Sequence, residues 1–163
     1  MPFNFKKSYK QTNNLIEKTP KKIFNLVNLE ILNLASNKLL KISRRIKKIS
    51  KLKSLDLSGN HLEFLPSSIY KLSELVVLSF KSNSIAKLPE KIGNLNNLKY
   101  IDGSKNLLEK IPLSFGKLKK LVKINFSFNK IKYSSESLSS LKNLKVLNLS
   151  NNKNIAFLPT TLC

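Results

Sequence analysis

The chain has 163 residues, 30 Lys and Arg against 9 Asp and Glu, and a formal net charge of +21. With 41% hydrophobic residues it is too apolar for a disordered basic tail, and it is long enough for one domain with a sizeable core. Its single cysteine, Cys163, excludes an intramolecular disulfide framework and a Cys-based zinc site, and no apolar run is long enough for a membrane-spanning helix.

Residues 1–13 carry charge but no apolar stretch of the kind a secretory signal needs. They are expected to cap an N-terminal edge, with Phe3 and Phe5 as plugs. Next, Asn14, Ile16, Pro20, Ile23 and Leu26 match the second half of a unit that then recurs. Its strand half is expected to be absent, because Tyr9 and Gln11 stand where later units have leucines. From Leu29 the period is 23 residues, and Leu29, Leu52, Leu75, Leu98, Leu121 and Leu144 each open the same phrase. The second unit shows it in full: Leu52, Leu55, Leu57, Asn60, Leu62, Leu65-Pro66, Ile69 and Leu72. The sixth slips by one residue after Asn152 and stops at Cys163.

Within each unit a period-2 apolar alternation predicts a short strand with one face buried. Strands are expected near 31–33, 54–56, 77–79, 100–102, 123–125 and 146–148. The following residues space their apolar side chains three or four apart, as in Ile69, Leu72 and Leu75, which predicts a helical or 3₁₀ return. One unit cannot bury its own apolar positions, so the units must stack into a continuous core.

These phrases resemble the leucine-rich repeat family in its 23-residue form, LxxLxLxxNxLxxLPxxIxxLxx, over about residues 14 to 162. The form is similar to that of bacterial repeat proteins, spirochaete ones included, and of Ras-associated scaffolds. Low Gly with abundant Lys, Asn and Ile suits an AT-rich genome and a bacterial source. The resemblance implies an α/β solenoid, a right-handed β-α superhelix forming a horseshoe arc, with a parallel sheet on the concave face and short helical or 3₁₀ segments on the convex one. Its domains are then a cap segment, 1–13, and a repeat domain, 14–163. The latter comprises a partial repeat at 14–28 and six repeats from 29, the last incomplete after 158. Family members commonly bind ligands on the concave face, which implies a non-enzymatic protein-interaction module without a cofactor.

The Asn column (Asn37, Asn60, Asn83, Asn106, Asn129, Asn152) is expected to satisfy backbone groups where the chain leaves each strand. Pro66, Pro89, Pro112 and Pro159 are expected to start the returns. The inward sixth position reads Leu34, Leu57, Phe80, Gly103, Phe126, Leu149. A void at Gly103 is costly, so the rings of Phe80 and Phe126 are expected to lean over it.

Catalytic chemistry finds little support. His61 has no Cys or second His nearby. Asp56 and Asp102 share a column two repeats apart, hence about 10 Å from each other, wide even for an inverting glycosidase. Neither a Gly-rich phosphate loop nor a nucleophile elbow occurs.

Positions two, three, five, seven and eight of each repeat are predicted to be exposed on the concave side. Val77, Tyr100, Phe128 and Val146 are expected to cluster there as an apolar protein-binding patch, with Lys123, Asp56, Asp102 and Asn125 beside it. These positions hold six lysines and three acids, so most of the positive charge lies elsewhere. Arg44, Arg45, Lys47 and Lys48 are expected on the convex side, because Ile42, Ile46, Ile49 and Leu52 take the core positions; this argues against a membrane-surface helix. Lys117, Lys119 and Lys120, with Lys123, form a second basic cluster. A polyanion is the alternative partner for these clusters: a sulfated polysaccharide such as a glycosaminoglycan, nucleic acid or anionic lipid. No aromatics interleave with them, against single-strand stacking. An open C-terminal edge would support a homodimer. The cytoplasm is the default location, with non-classical export left open.

Overall fold

A three-residue strand cannot stand alone, and it gains its hydrogen bonds only by lying between copies of itself. The computed structural model describes residues 7–133, 135–153 and 155 and shows that arrangement. Seven parallel strands form one open sheet in chain order: β1 (Ser8–Lys10), β2 (Ile31–Asn33), β3 (Ser54–Asp56), β4 (Val77–Ser79), β5 (Tyr100–Asp102), β6 (Lys123–Asn125) and β7 (Val146–Asn148). The register is 23 residues per step throughout, so Tyr9, Leu32, Leu55, Leu78, Ile101, Ile124 and Leu147 stand side by side. The six strands expected from the periodicity form at the residues predicted.

β1 is a correction. The upstream repeat does have its strand half, despite Tyr9 and Gln11. Parallel pairing uses backbone groups, and Lys7 C=O accepts the N–H of both Glu30 and Ile31. Tyr9 serves in place of a leucine: its ring packs against the core while its hydroxyl donates to Gln11 Oε1 at 2.7 Å. Phe3 and Phe5, the expected plugs, lie outside the described residues, as do Leu158, Pro159 and Cys163.

The returns are short 3₁₀ helices: η1 (Lys21–Asn25), η2 (Arg44–Lys48), η3 (Ile69–Lys71), η4 (Glu90–Asn94), η5 (Leu113–Lys117) and η6 (Glu136–Ser140). Pro20, Pro89 and Pro112 sit immediately before η1, η4 and η5. In η2 and η6 a serine takes that place, and its hydroxyl accepts an N–H two residues on. Glu90 also caps the next repeat: its carboxylate accepts Ser114 N–H at 2.8 Å and Leu113 N–H at 3.3 Å. The Ser114 N–H lowers the Glu90 pKa from its ordinary value.

Between strands and returns runs one continuous core from Ile23 to Leu141. Its turns are held by the Asn column. In every repeat the amide nitrogen donates to the carbonyl three residues back and to the one 26 back, and the amide oxygen accepts the N–H 21 back. For Asn106 these partners are Gly103 C=O at 3.1 Å, Phe80 C=O at 3.0 Å and Ile85 N–H at 2.9 Å. Asn37, Asn60, Asn83, Asn129 and Asn152 repeat the pattern. The column is a ladder that joins each turn to the preceding one. Phe80 and Phe126 do lean over Gly103, both fully buried, with ring centroids 6.5 Å apart.

Candidate functional site

The register defines rows across the sheet. Position three reads Ile31, Ser54, Val77, Tyr100, Lys123, Val146 on successive strands. Val77, Tyr100, Lys123 and Val146 therefore form an unbroken line over four strands, about 14 Å long at ordinary strand spacing. Val77 and Tyr100 are half-buried, while Lys123 and Val146 are exposed. The apolar patch is thus interrupted by a lysine within its own row.

Position five runs parallel to this line: Asn33, Asp56, Ser79, Asp102, Asn125, Asn148. Except at Ser79, the Oδ1 of each accepts the N–H two residues on. Asp56 takes Ser58 at 3.0 Å, Asp102 takes Ser104 at 2.9 Å and Asn125 takes Ser127 at 3.2 Å. Asn33 and Asn148 do the same for Ala35 and Ser150. Asp102 spends its other oxygen on Asn125 Nδ2 at 3.3 Å. Asp56, Asp102 and Asn125 are therefore turn-holding residues first. The signal was present in the sequence as an Asp or Asn followed two places later by Ala or Ser. At position seven the expected exposure fails in two repeats, while Lys81 and Ser150 are exposed and Ala35 and Ser58 half-buried. Ser104 and Ser127, whose N–H groups Asp102 and Asn125 accept, are buried, 2% and 5% exposed.

Phe128 stands apart from the row. It occupies position eight, where the chain bends out of the strand. Asn13, Ser36, Gly59, Ser82, Lys105, Phe128 and Asn151 all have φ between 53° and 62° there. For an aromatic residue the left-handed region costs roughly 1–3 kcal/mol. The neighbouring repeats impose it, because Phe128 N–H donates to Ser150 C=O at 2.9 Å and Phe128 C=O accepts Asn106 N–H at 3.2 Å. The ring is 51% exposed, and Lys105 Nζ lies 5.8 Å from its centroid, within cation–π range. The sheet face therefore offers two contacts, the row through Tyr100 and the bend at Phe128.

Lysines dominate the charge of this face. Lys99, Lys105, Lys123 and Lys145 are exposed. Glu30 is already paired with Lys53 at 3.2 Å. His61 is exposed, and among the described residues no three His, Cys, Asp or Glu side chains converge on a common point.

The first basic cluster makes up most of η2. Ile46 and Ile49 are fully buried and Ile42 nearly so, which leaves Arg44, Arg45, Lys47 and Lys48 exposed on and around η2. The second cluster divides. Lys117 ends η5, whereas Lys123 belongs to the sheet. Lys119 and Lys120 reach across repeats, to Ser140 C=O at 3.2 Å and Asn97 Oδ1 at 2.7 Å. No helix among the described residues is long and apolar enough to cross a membrane.

The family model described as Leucine rich repeat matches residues 12–62, and a second, described as Leucine Rich Repeat, matches residues 143–163. No curated protein matches the chain. Among solved structures it is similar to a Leptospira interrogans LRR protein, at 29% identity and a TM-score of 0.69 over 90% of this chain and 43% of that one. It is also similar to internalin C2 of Listeria monocytogenes, at 25% identity and a TM-score of 0.83 over 94% of this chain and 65% of that one. The Arabidopsis receptor kinase HAESA, solved with the peptide hormone IDA and the co-receptor SERK1, matches at 26% identity with a TM-score of 0.85, over 96% of this chain and 28% of that one. The chain thus spans less than two thirds of each of these relatives. With its 23-residue stacking and Asn ladder, shared fold and family matches near both ends, the chain is a leucine-rich repeat protein.

Proposed function

We propose that this repeat protein is a non-enzymatic module that binds a protein ligand on the face of its sheet. The observation that carries this reading is the line Val77, Tyr100, Lys123, Val146, four side chains on adjacent strands of a rigid sheet. Tyrosine contributes a large apolar area together with a polar tip, and few rotamers are lost when it is covered. Phe128, held by backbone bonds in a strained bend, is a preorganised second anchor. The lysines around them favour a ligand surface that carries carboxylates. Asp56 Oδ2 has no hydrogen bond among the described residues and remains an acceptor for orienting the ligand. The HAESA relative, solved with a peptide hormone, supports a polypeptide as the ligand class.

The test is a double variant, Tyr100→Ala with Phe128→Asn. Asparagine suits the bend, as Asn13 and Asn151 show. Retention of the native protein ligand should fall by roughly ten-fold or more, with the melting temperature little changed. Full retention by the double variant would place the ligand elsewhere.

A further inference from the structure

A second site lies on the flank of the solenoid, where the chain passes from each strand toward its return. We propose that a groove there binds an acidic peptide segment anchored by apolar side chains. The site is separate from the sheet face and does not depend on the function proposed for that face.

Two exposed apolar side chains from neighbouring repeats line the groove. Position twelve reads Glu17, Leu40, Glu63, Ala86, Glu109, Lys132, and position thirteen reads Lys18, Lys41, Phe64, Lys87, Lys110, Tyr133. Position twelve carries an acid at Glu17, Glu63 and Glu109, and position thirteen a lysine at Lys18, Lys41, Lys87 and Lys110. Leu40 stands in the first of these columns and Phe64 in the second, one repeat further on. Neither serves the core, for Leu40 is 59% and Phe64 49% exposed. Together with Ile42 and Pro66, which are buried, they line a groove of about 640 Å³. This falls within the usual range for ligand sites.

Lys18, Lys21, Lys41 and Arg44 rim the groove against a single carboxylate, Glu17. No ion pair neutralises any of the four among the described residues. The walls are fixed by backbone bonds: Lys18 and Lys41 form a parallel bridge, and Lys38 N–H donates to Ile16 C=O at 3.0 Å. Charge complementarity selects the occupant. A bare polyanion would leave Leu40 and Phe64 uncovered, and a neutral apolar ligand would leave four cations uncompensated. A peptide that alternates carboxylates with apolar side chains meets both surfaces, and its charges predict electrostatic steering and salt-sensitive binding.

The probe is a fluorescent nonapeptide of alternating glutamate and leucine, titrated by anisotropy against the full chain. Binding is expected, and it should weaken by roughly ten-fold in Leu40→Ser with Phe64→Ser. A comparable loss is expected in Lys41→Glu with Arg44→Glu, a pair that leaves the apolar anchors in place. The sheet-face variant, Tyr100→Ala with Phe128→Asn, should bind as the parent does. Amide shift changes in an NMR titration should centre on residues 17–21, 40–44 and 64–66. Absence of binding would overturn the proposal, as would equal affinity for nonaglutamate or heparin. Tighter binding of oleate, retention by the Leu40/Phe64 variant, or loss in the sheet-face variant would also overturn it.

Discussion

Gly103→Leu destabilises the protein, and adding Phe80→Leu with Phe126→Leu to the same chain recovers most of the loss. A β-carbon at Gly103 would stand 2.5 Å from Phe80 Cζ and 2.9 Å from Phe126 Cε1, inside the contact distance of both rings. Neither ring has a free direction to retreat. Both are fully buried, and Phe126 is also held edge-on against Phe115, with centroids 5.7 Å apart and planes at 70°. Overpacking of this kind costs roughly 1–3 kcal/mol and often more when rings must leave their rotamers. Replacing the two phenylalanines alone errs in the opposite sense, leaving a void over Gly103 that costs a few kcal/mol. In the combined variant the column reads leucine in every repeat, as it already does at Leu34, Leu57 and Leu149. The three changes should therefore be strongly non-additive. Thermal unfolding would show it, at about 2–4 °C per kcal/mol for a chain of this size. Additive losses in the triple variant, or a neutral Gly103→Leu, would contradict the packing account.

Asn106→Leu should cost roughly 3 kcal/mol or more, read as a lower urea midpoint at unchanged slope. Leucine fills a similar volume but leaves Phe80 C=O, Gly103 C=O and Ile85 N–H without their partner in a buried turn. Each unpaired buried group costs about 1–3 kcal/mol. Asn106→Asp should be no better, since a carboxylate would then face two carbonyl oxygens. The position in the stack matters as well. Asn106 is buried, whereas Asn152 makes the equivalent bonds half-exposed, where water can replace them. Asn152→Leu should therefore cost less. Equal costs at the two sites would mean that the ladder is not what holds the interior turns.

The periodic part of this molecule is legible in its sequence because the 23-residue spacing of leucines and asparagines directly encodes stacking. Six strands and the Asn ladder follow from columns of like residues, and the rings over Gly103 from the break in one such column. The remaining features depend on groups that leave no such column. β1 forms through backbone pairing that a tyrosine satisfies as well as a leucine does. The burial of Ser104 and Ser127 leaves no signal in the column, since Ser150, held by the same kind of turn bond, is exposed. Phe128 separates from the Tyr100 row because position eight requires positive φ, a backbone property that serine, lysine and asparagine meet equally in other repeats. Leu40 and Phe64 lie in different columns, and only the fold places them beside one groove.

The central claim is that the face of the sheet is where this repeat protein meets a protein ligand. A benzoylphenylalanine photo-crosslinker in place of Tyr100, compared with one in place of Lys48 on η2, tests it most directly in cells of the source organism. The account predicts a discrete protein adduct from position 100 and none from position 48. An adduct formed from position 48 and not from position 100 would contradict it.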